Sequence, residues 1–240
     1  PAAWRRAPAD RAALAARHHL MVDFHGSTKP SGLERTWPNV MGYEAVLGME
    51  QSKAGMRDNP DHHVMLPFTR MLAGPMDYTP GGFNNVTRDE FEPRNVRPMV
   101  LGTRAHHLAM YAVYLAPFQM VSDHPTAYEG DPAFEFIRAV PASWDETRFV
   151  AGGPGEWVAV ARRRGFDWYI GAMTGWVARD IEIPLSFLKG SGNAKVYKDA
   201  ADADRNPKNI VIENRPVTPG DVIKAHLAPG GGLAIHITVK

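Results

Sequence analysis

The fold is decided by residues 20–26, which read Leu20-Met21-Val22-Asp23-Phe24-His25-Gly26. This short apolar run ends at His25 and passes into a loop rich in glycine and proline, which is typical of a buried strand. Residues 2–18 before it are rich in alanine and arginine and predict a helix. A helix followed directly by a strand is half of a βαβ unit, so this region indicates a parallel sheet.

The stretch that follows predicts loops with a few short elements. Residues 42–52 predict a short helix, residues 60–72 a longer helix opened by Pro60, and residues 74–82 a very short strand that ends in a loop. Residues 99–115 form an apolar run long enough for a buried helix. This half of the chain therefore alternates helices and strands.

The pattern changes after about residue 116. From Trp144 onward, short apolar runs are separated by turns of glycine, proline and aspartate. Repeated short strands separated by such turns are typical of an antiparallel β-sandwich. The sequence thus predicts an α/β part followed by a β part.

Composition narrows the class of function. The chain has 240 residues and a net charge of +1, which gives no electrostatic case for binding nucleic acid or an anionic membrane. No apolar run is long enough to span a membrane. Cysteine is absent, which excludes disulfides and thiolate metal sites. The chain begins at Pro1 without the apolar segment of a signal peptide, so we expect a piece of a longer protein or a processed product.

Two glutamates follow the first strand and are candidates for acid–base chemistry. Glu44 and Glu50 lie six residues apart in the loop region after His25. Barrel enzymes carry their chemistry where strands end, and a glycosidase needs two carboxylates facing the scissile bond. Glu50 has apolar neighbours that are expected to bury it and help it keep a proton. On pattern alone, solvated surface glutamates and a structural histidine are common alternatives.

Other candidate sites have simpler interpretations. Adjacent histidines on a helix point about 100° apart, so the pairs His62-His63 and His106-His107 are interpreted as structural. The acidic run from Asp202 imitates an EF-hand loop, but Pro207 stands where the loop needs glycine, which favours an ordinary turn. The aromatic residues between 157 and 176 are more typical of a sandwich core than of a sugar-binding surface.

Two aspartates near strand ends have less defined roles. Asp23 is expected to make structural hydrogen bonds. Asp77 follows the very short strand, and orientation of a loop and contact with substrate are equally good interpretations.

Several loop motifs together resemble one known family. They are Phe24-His25-Gly26, Lys29-Pro30-Ser31-Gly32-Leu33, Arg35-Thr36-Trp37-Pro38-Asn39, Gly48-Met49-Glu50, Leu66-Pro67-Phe68-Thr69-Arg70, Gly74-Pro75-Met76-Asp77-Tyr78-Thr79-Pro80-Gly81 and, near the end, Trp168-Tyr169-Ile170-Gly171 and Gly230-Gly231-Gly232. At these motifs the chain is similar to glycoside hydrolase family 97, the bacterial α-glucosidases and α-galactosidases.

The resemblance implies an architecture. Enzymes of this family have an N-terminal β-super-sandwich, a (β/α)8 barrel and a C-terminal β domain. By this resemblance, residues 1–119 are the C-terminal part of the barrel and residues 120–240 the C-terminal antiparallel β domain. It also implies a bacterial protein that is periplasmic or secreted, with its signal peptide outside this chain.

The resemblance also implies roles for the candidate residues. Glu50 matches the general acid, and His25 matches a histidine that contacts substrate. Glu44 matches a carboxylate that binds a calcium ion beside the sugar, and Glu50 is assigned to the same ion.

Gly26 decides between two branches of the family. Inverting α-glucosidases of the family carry a glutamate directly after that histidine, whereas members with glycine are similar to retaining α-galactosidases, whose aspartate nucleophile would lie upstream of Pro1. The expected function is therefore the C-terminal part of an exo-acting hydrolase that removes terminal α-galactose from oligosaccharides and is inactive as this chain alone. The alternatives are an inverting α-glucosidase and a noncatalytic carbohydrate-binding or structural fragment.

Overall fold

The computed structural model describes the backbone of residues 2–239 and the side chains of residues 7–239. The helices are α1 (Ala2–Arg17), α2 (Leu33–Thr36), α3 (Pro60–Met65), α4 (Arg104–Val113) and α5 (Phe134–Ala139), with 3-10 turns at Met49–Lys53, Leu66–Phe68, Arg70–Ala73 and Pro125–Ala127. The strands are β1 (Val22–Phe24), β2 (Val40–Tyr43), β3 (Asn85–Val86), β4 (Val100–Leu101), β5 (Glu146–Gly153), β6 (Trp157–Arg164), β7 (Asp167–Thr174), β8 (Arg179–Pro184), β9 (Gly192–Asp199), β10 (Ile210–Val217), β11 (Val222–Leu227) and β12 (Gly232–Val239).

Parallel strand pairing organises the first part of the chain, as the sequence predicts. Helix α1 leads into β1, and β1 pairs with β2 in parallel, with Phe24 opposite Tyr43. Tyr43 in turn forms a parallel bridge to Met76. Three strand ends therefore lie side by side at one edge, where the residues that follow them can meet.

The predicted helix at residues 42–52 is wrong. Its first part is the end of β2, and only Met49–Lys53 turns, as a 3-10 helix. The reason is tertiary: β2 lies against β1 so closely that a Cβ on Gly42 would stand 2.9 Å from Oδ1 of Asp23. Pairing with a neighbouring strand overrides the local preference for helix.

Another predicted helix is shorter than expected. Helix α3 ends at Met65 because Pro67 has no N–H to donate to the carbonyl of His63. The hydroxyl of Tyr114 donates to that carbonyl instead, at 3.0 Å. The very short strand predicted within residues 74–82 is present as the parallel bridge at Met76, and a loop follows it.

The predicted helix at residues 99–115 also begins later than expected. Val100–Leu101 pair in parallel with β3, and the helix starts only at Arg104. The Thr103 hydroxyl caps it by accepting the N–H of His106 at 3.2 Å.

The second part of the chain is the predicted antiparallel β domain. Six strands form one sheet in the order β10-β9-β12-β7-β6-β5, and β8 pairs with β11 in a separate two-stranded sheet. The two sheets share a core in which Ile170, Ile183, Leu227 and Ile235 are fully buried. A second sheet facing the first is the arrangement expected of a sandwich.

The other face of the large sheet is covered by α4. Every residue of α4 is buried, and the helix approaches so closely that a Cβ on Gly171 would lie 2.4 Å from the carbonyl oxygen of Ala109. Gly232 makes the same close approach to His106. The α/β part and the β part therefore share one packed interface.

The aromatic residues and the acidic run behave largely as the sequence predicts. Trp168 and Tyr169 are core residues, whereas Phe166 stands in a turn and is 82% exposed. Asp202 lies in a turn, where its carboxylate accepts a hydrogen bond from Asn209 at 2.8 Å. No helix of residues 2–239 is long and apolar enough to cross a membrane.

Candidate active site

The structure brings together the three residues that the sequence singled out. Nε2 of His25 lies 3.5 Å from Oε1 of Glu44 and 3.5 Å from Oε2 of Glu50. Because Phe24 pairs with Tyr43, the residues that follow them, His25 and Glu44, are held side by side. Glu50 reaches the same place from the 3-10 turn.

A fourth residue, Asp77, completes the group from the third strand end. Its Oδ2 lies 2.9 Å from Nδ1 of His25. The Asp77 side chain is only 4% exposed, whereas that of His25 is 56% exposed. Of the two interpretations of Asp77, the structure therefore supports an orienting role, directed at His25 rather than at a loop.

The hydrogen bond to Asp77 also raises the pKa of His25. An ionised carboxylate only accepts, so Nδ1 carries the proton that is shared with Asp77. This hydrogen bond is the largest cause that raises the pKa of His25 above its usual 6.5, against the opposing effect of burial, and Glu44, Asp77 and Glu50 add to it by their charges. Nε2 is the ring nitrogen that faces the two glutamates.

Glu44 is held firmly on both its side chain and its backbone. Oε2 accepts the backbone N–H of Gly26 at 2.6 Å, and the side chain is 13% exposed. The guanidinium of Arg70 donates to the carbonyls of Tyr43 at 2.8 Å and Glu44 at 3.3 Å. Ala45 follows with φ of 34°, a conformation that L residues seldom adopt.

Arg70 was not among the candidates from the sequence. It stands in the quoted motif at residues 66–70, but its role depends on carbonyls that are distant in sequence. It also donates to the carbonyls of Gly74 at 3.0 Å and Pro75 at 3.1 Å. One cation therefore ties the end of β2 to the residues that lead into the bridge at Met76.

Glu50 stands at the open side of the group. Its side chain is 40% exposed, so the prediction that its apolar neighbours bury it is wrong. Met49 turns into the core instead, and the 3-10 turn points Glu50 outward. The Glu50 carboxylate has one close neighbour on its own turn, the amide of Gln51 at 3.3 Å.

Asp23 does not meet its expected structural role in full. Its Oδ1 is buried and has no hydrogen-bond partner among the described residues. Burial, together with the negative charge of Asp77, raises the pKa of Asp23 to about 6.

A cavity of ≈ 360 Å³ opens beside His25, between β1 and residues of α1 that include Pro8 and Arg11.

The group meets the geometric requirement of a cation site. His25, Glu44 and Glu50 can each offer one ligand atom, and these atoms lie within 4.8 Å of one another. In the part of the chain that the structure describes, no other group of three such residues does so. Calcium takes 6–8 oxygen ligands, so the two carboxylates fit a hard cation as part of its shell.

Three of the four paired histidines, His63, His106 and His107, are buried, and His62 is half-buried. The connection between the two pairs is not visible in the sequence. His63 and His106, one from each pair, lie 3.0 Å apart between Nδ1 and Nε2. Residues 43 positions apart in the chain can only be brought together by the fold.

Sequence comparison identifies one family in both parts of the chain. Residues 6–46 match the family model described as "Glycoside hydrolase 97", and residues 143–238 match "Glycosyl-hydrolase 97 C-terminal, oligomerisation". A retaining alpha-galactosidase of Bacteroides thetaiotaomicron is 42% identical over 94% of this chain and 35% of its own length. A probable retaining alpha-galactosidase of Streptomyces bingchenggensis is 36% identical over 91% of this chain and 32% of its own length.

Solved structures lead to the same family. A glycoside hydrolase family 97 enzyme from Pseudoalteromonas sp. strain K8, in complex with acarbose, superposes with a TM-score of 0.85 at 38% identity and covers 95% of this chain. A beta-arabinopyranosidase superposes with a TM-score of 0.80 at 28% identity and covers 94%. The chain spans 36% and 35% of these two structures and about a third of the curated relatives. The sequence motifs, the two family models and these relatives agree: the chain belongs to glycoside hydrolase family 97.

Proposed function

We propose that this chain supplies the acid–base side of the active site in an exo-acting glycoside hydrolase that removes terminal α-galactose with retention of configuration. The observation that carries the proposal is the convergence of Glu50, Glu44 and His25 at the ends of parallel strands. Two curated relatives described as retaining α-galactosidases support the choice of sugar and stereochemistry.

Glu50 is the residue best placed to act as general acid. Its carboxylate is 40% exposed, whereas that of Glu44 is 13% exposed and is already bonded to the N–H of Gly26. In a double displacement, Glu50 protonates the departing glycosidic oxygen while an aspartate attacks the anomeric carbon. Glu50 then removes a proton from the water that releases the sugar. The aspartate would come from outside residues 1–240.

His25 is suited to hold a sugar hydroxyl beside the acid. Asp77 occupies Nδ1, so Nε2 is left to face the ligand side of the group. A neutral imidazole accepts a hydroxyl proton there, and an imidazolium donates to a hydroxyl oxygen. Its exposure of 56% leaves the ring within reach of a substrate.

Gly26 supports retention. It has φ of +62°, and nothing lies within 4 Å of the position where its Cβ would stand. No side chain therefore projects from this position to activate water, which an inverting mechanism requires on the face opposite the acid.

Glu44 and Glu50 would hold a calcium ion as two of its carboxylate ligands. When bound, such an ion supplies a fixed positive charge that stabilises negative charge on nearby oxygens.

We further propose that residues 1–119 are part of a (β/α)8 barrel and that the domain boundary lies near residue 119. We also propose that the protein is periplasmic or secreted.

An inverting α-glucosidase is the second candidate. Solved relatives of this family from Pseudoalteromonas sp. strain K8 are described in complex with acarbose and with panose, at 38% identity to this chain. The same group of residues would then act on a terminal α-linked glucose.

The test is hydrolysis by the protein expressed from its whole coding region. We expect turnover of p-nitrophenyl α-galactoside and little turnover of the α-glucoside, with the β-L-arabinopyranoside as a further comparison. Proton NMR of the product formed first should show the α-anomer. Release of the β-anomer from an α-glycoside would replace the retaining proposal by the inverting one. The 240-residue chain alone should be inactive in the same assays.

A further inference from the structure

A buried carboxylate, Asp58, lies behind the turn that carries Glu50. The Asp58 side chain is 2% exposed and accepts three hydrogen bonds. Its Oδ2 accepts the hydroxyl of Ser52 at 3.1 Å, and its Oδ1 accepts the hydroxyl of Tyr78 at 2.5 Å and Nε2 of His63 at 3.1 Å. Burying a carboxylate is costly unless its oxygens accept hydrogen bonds, and those of Asp58 do.

The hydrogen-bond chain continues into the β domain. Nδ1 of His63 lies 3.0 Å from Nε2 of His106, and Nδ1 of His106 lies 3.0 Å from the carbonyl oxygen of Gly231. A carbonyl only accepts, so His106 must carry its proton on Nδ1. Burial first, and the neighbouring His63 and His107, lower the pKa of His106 well below 6.5, which leaves Nε2 as an acceptor.

Both ring nitrogens of His63 take part in this chain. Its Nδ1 faces Nε2 of His106, and its Nε2 faces the carboxylate of Asp58. Burial raises the pKa of Asp58, but the charge and hydrogen bond of His63, the hydrogen bond of Tyr78 and the charge of His62 together bring it below its usual 3.8. Asp58 is therefore an ionised acceptor for Ser52, Tyr78 and His63.

Burial favours the uncharged forms of the other ionisable groups around His63. Burial lowers the pKa of His62, and it lowers that of His107 to about 3. Burial also raises the pKa of Tyr78 and Tyr114 well above 10. Asp58 is held in this buried group by its hydrogen bonds to Ser52, Tyr78 and His63.

The same carboxylate anchors the turn on both sides of Glu50. Ser52 lies two residues after Glu50 in the 3-10 turn and is held by Asp58. On the other side, the backbone N–H of Met49 donates to the carbonyl of Tyr78 at 3.3 Å, and the Tyr78 hydroxyl is held by Asp58 as well. Glu50 itself is half open to solvent, so its position depends on these two anchors.

We propose that Asp58, held by a hydrogen bond to His63, is a positioning residue for Glu50 that acts through Ser52 and Tyr78. The inference rests on the proposed function, since it gives Glu50 the role of general acid. The hydrogen-bond chain reaches the β domain at Gly231, whose carbonyl accepts the Nδ1 proton of His106.

The kinetic test uses Ser52→Ala and Asp58→Asn in the whole enzyme, with Tyr114→Phe as the matched control. Tyr114 donates its hydroxyl to the carbonyl of His63 in the same core but bonds to neither anchor. With galactosides that have poor leaving groups, we expect Ser52→Ala to lower kcat by roughly 10–100-fold while KM changes little, since misplaced acids lose rate rather than binding. Activated aryl galactosides should lose less than about threefold. Equal losses for both substrate types, or an equal loss in Tyr114→Phe, would overturn the inference.

A second measurement does not depend on activity. In the 240-residue chain, amide hydrogen exchange across residues 49–53 should accelerate in Ser52→Ala and stay unchanged in Tyr114→Phe. If the whole enzyme fails to cleave galactosides while the exchange rates are as expected, the proposed function fails and the anchor stands. If exchange is unchanged in Ser52→Ala, the anchor itself is wrong, whatever the activity.

Discussion

Nδ1 of His25 lies 2.9 Å from Oδ2 of Asp77, although the two residues are 52 positions apart in the chain. Each follows a strand segment, and both segments lie beside β2, whose last residue Tyr43 pairs with Phe24 and bridges to Met76. A buried carboxylate thereby holds a histidine whose other nitrogen faces two glutamates. This contact is the largest cause that raises the pKa of His25.

Replacing Asp77 should therefore change the titration of His25. We expect Asp77→Asn to lower the pKa of His25 towards 6.5, because the hydrogen bond from this carboxylate is the largest cause of its rise. A folded-state pKa above 6.5 contributes stability that is complete below 6.5 and is lost as the pH rises through the folded value. The variant should lose that contribution.

Proton NMR of the histidine ring signals between pH 5 and 9 measures this shift. Asp180→Asn is the matched control, since Asp180 contacts a different histidine, His226, at 2.7 Å in the sheet of β8 and β11. It should leave the titration of His25 unchanged. An unaltered pKa of His25 in Asp77→Asn would mean that the contact with Asp77 does not raise it.

Glu50→Gln should separate substrates by their leaving groups. Glutamine keeps the shape of glutamate but cannot donate a proton, so cleavage of alkyl galactosides by the whole enzyme should slow by roughly 10²–10⁴-fold. Activated aryl galactosides need little protonation and should react at a rate closer to that of the unaltered enzyme. Steady-state kinetics on both substrate types provide the measurement, with Glu129→Gln, an exposed glutamate, as control. A uniform loss on both types would assign Glu50 to binding rather than to acid catalysis.

Gly171→Ala should weaken the interface between α4 and the large sheet. A Cβ at this position would stand 2.4 Å from the carbonyl oxygen of Ala109, and backbone there cannot move without displacing the helix. We expect the free energy of unfolding to fall by about 1–3 kcal/mol, the usual cost of overpacking. Chemical denaturation followed by circular dichroism measures it.

Gly153→Ala is the control for that substitution. Gly153 lies in β5 of the same sheet, and the nearest atoms to its added Cβ are those of the Glu156 side chain at 3.8 Å. The change should be close to neutral. Equal destabilisation by both substitutions would show that loss of glycine, rather than contact with α4, is responsible.

Asp199→Asn should alter how stability depends on pH. Burial raises the pKa of Asp199 from 3.8 to about 6, although Thr103, Ala228 and Gly232 donate hydrogen bonds to it. The folded state therefore binds this proton more tightly than the unfolded state, so stability falls as the pH rises from 4 through 6. The difference corresponds to about 3 kcal/mol. Asparagine does not titrate. The free energy of unfolding of the variant, minus that of the unaltered chain, should therefore rise between pH 4.5 and 7.5.

Urea denaturation of both chains across this pH range gives the difference directly. Asp221→Asn should show the opposite sign, because hydrogen bonds from Thr218 lower the pKa of Asp221 and ionised Asp221 stabilises the fold above 3.8. A stability difference for Asp199→Asn that does not change with pH would contradict the raised pKa.

Local elements and the identity of the candidate residues can be predicted from the sequence. Alternation and turn chemistry depend only on near neighbours, which is why the strands after Trp144 and the step from helix α1 to strand β1 are predictable. The motif around His25, Glu44 and Glu50 also pointed to residues that the fold does bring together.

Contacts between distant segments depend on tertiary packing and cannot be predicted from local sequence. Residues 42–52 form strand and 3-10 turn rather than helix because β2 must pair with β1, and Glu50 is exposed because Met49 takes the buried position. The partners of Asp77, and the buried pair of His63 with Asp58 behind Glu50, depend on hydrogen bonds between side chains that are far apart in sequence. Such bonds form only after packing excludes water from them, so no local pattern encodes them.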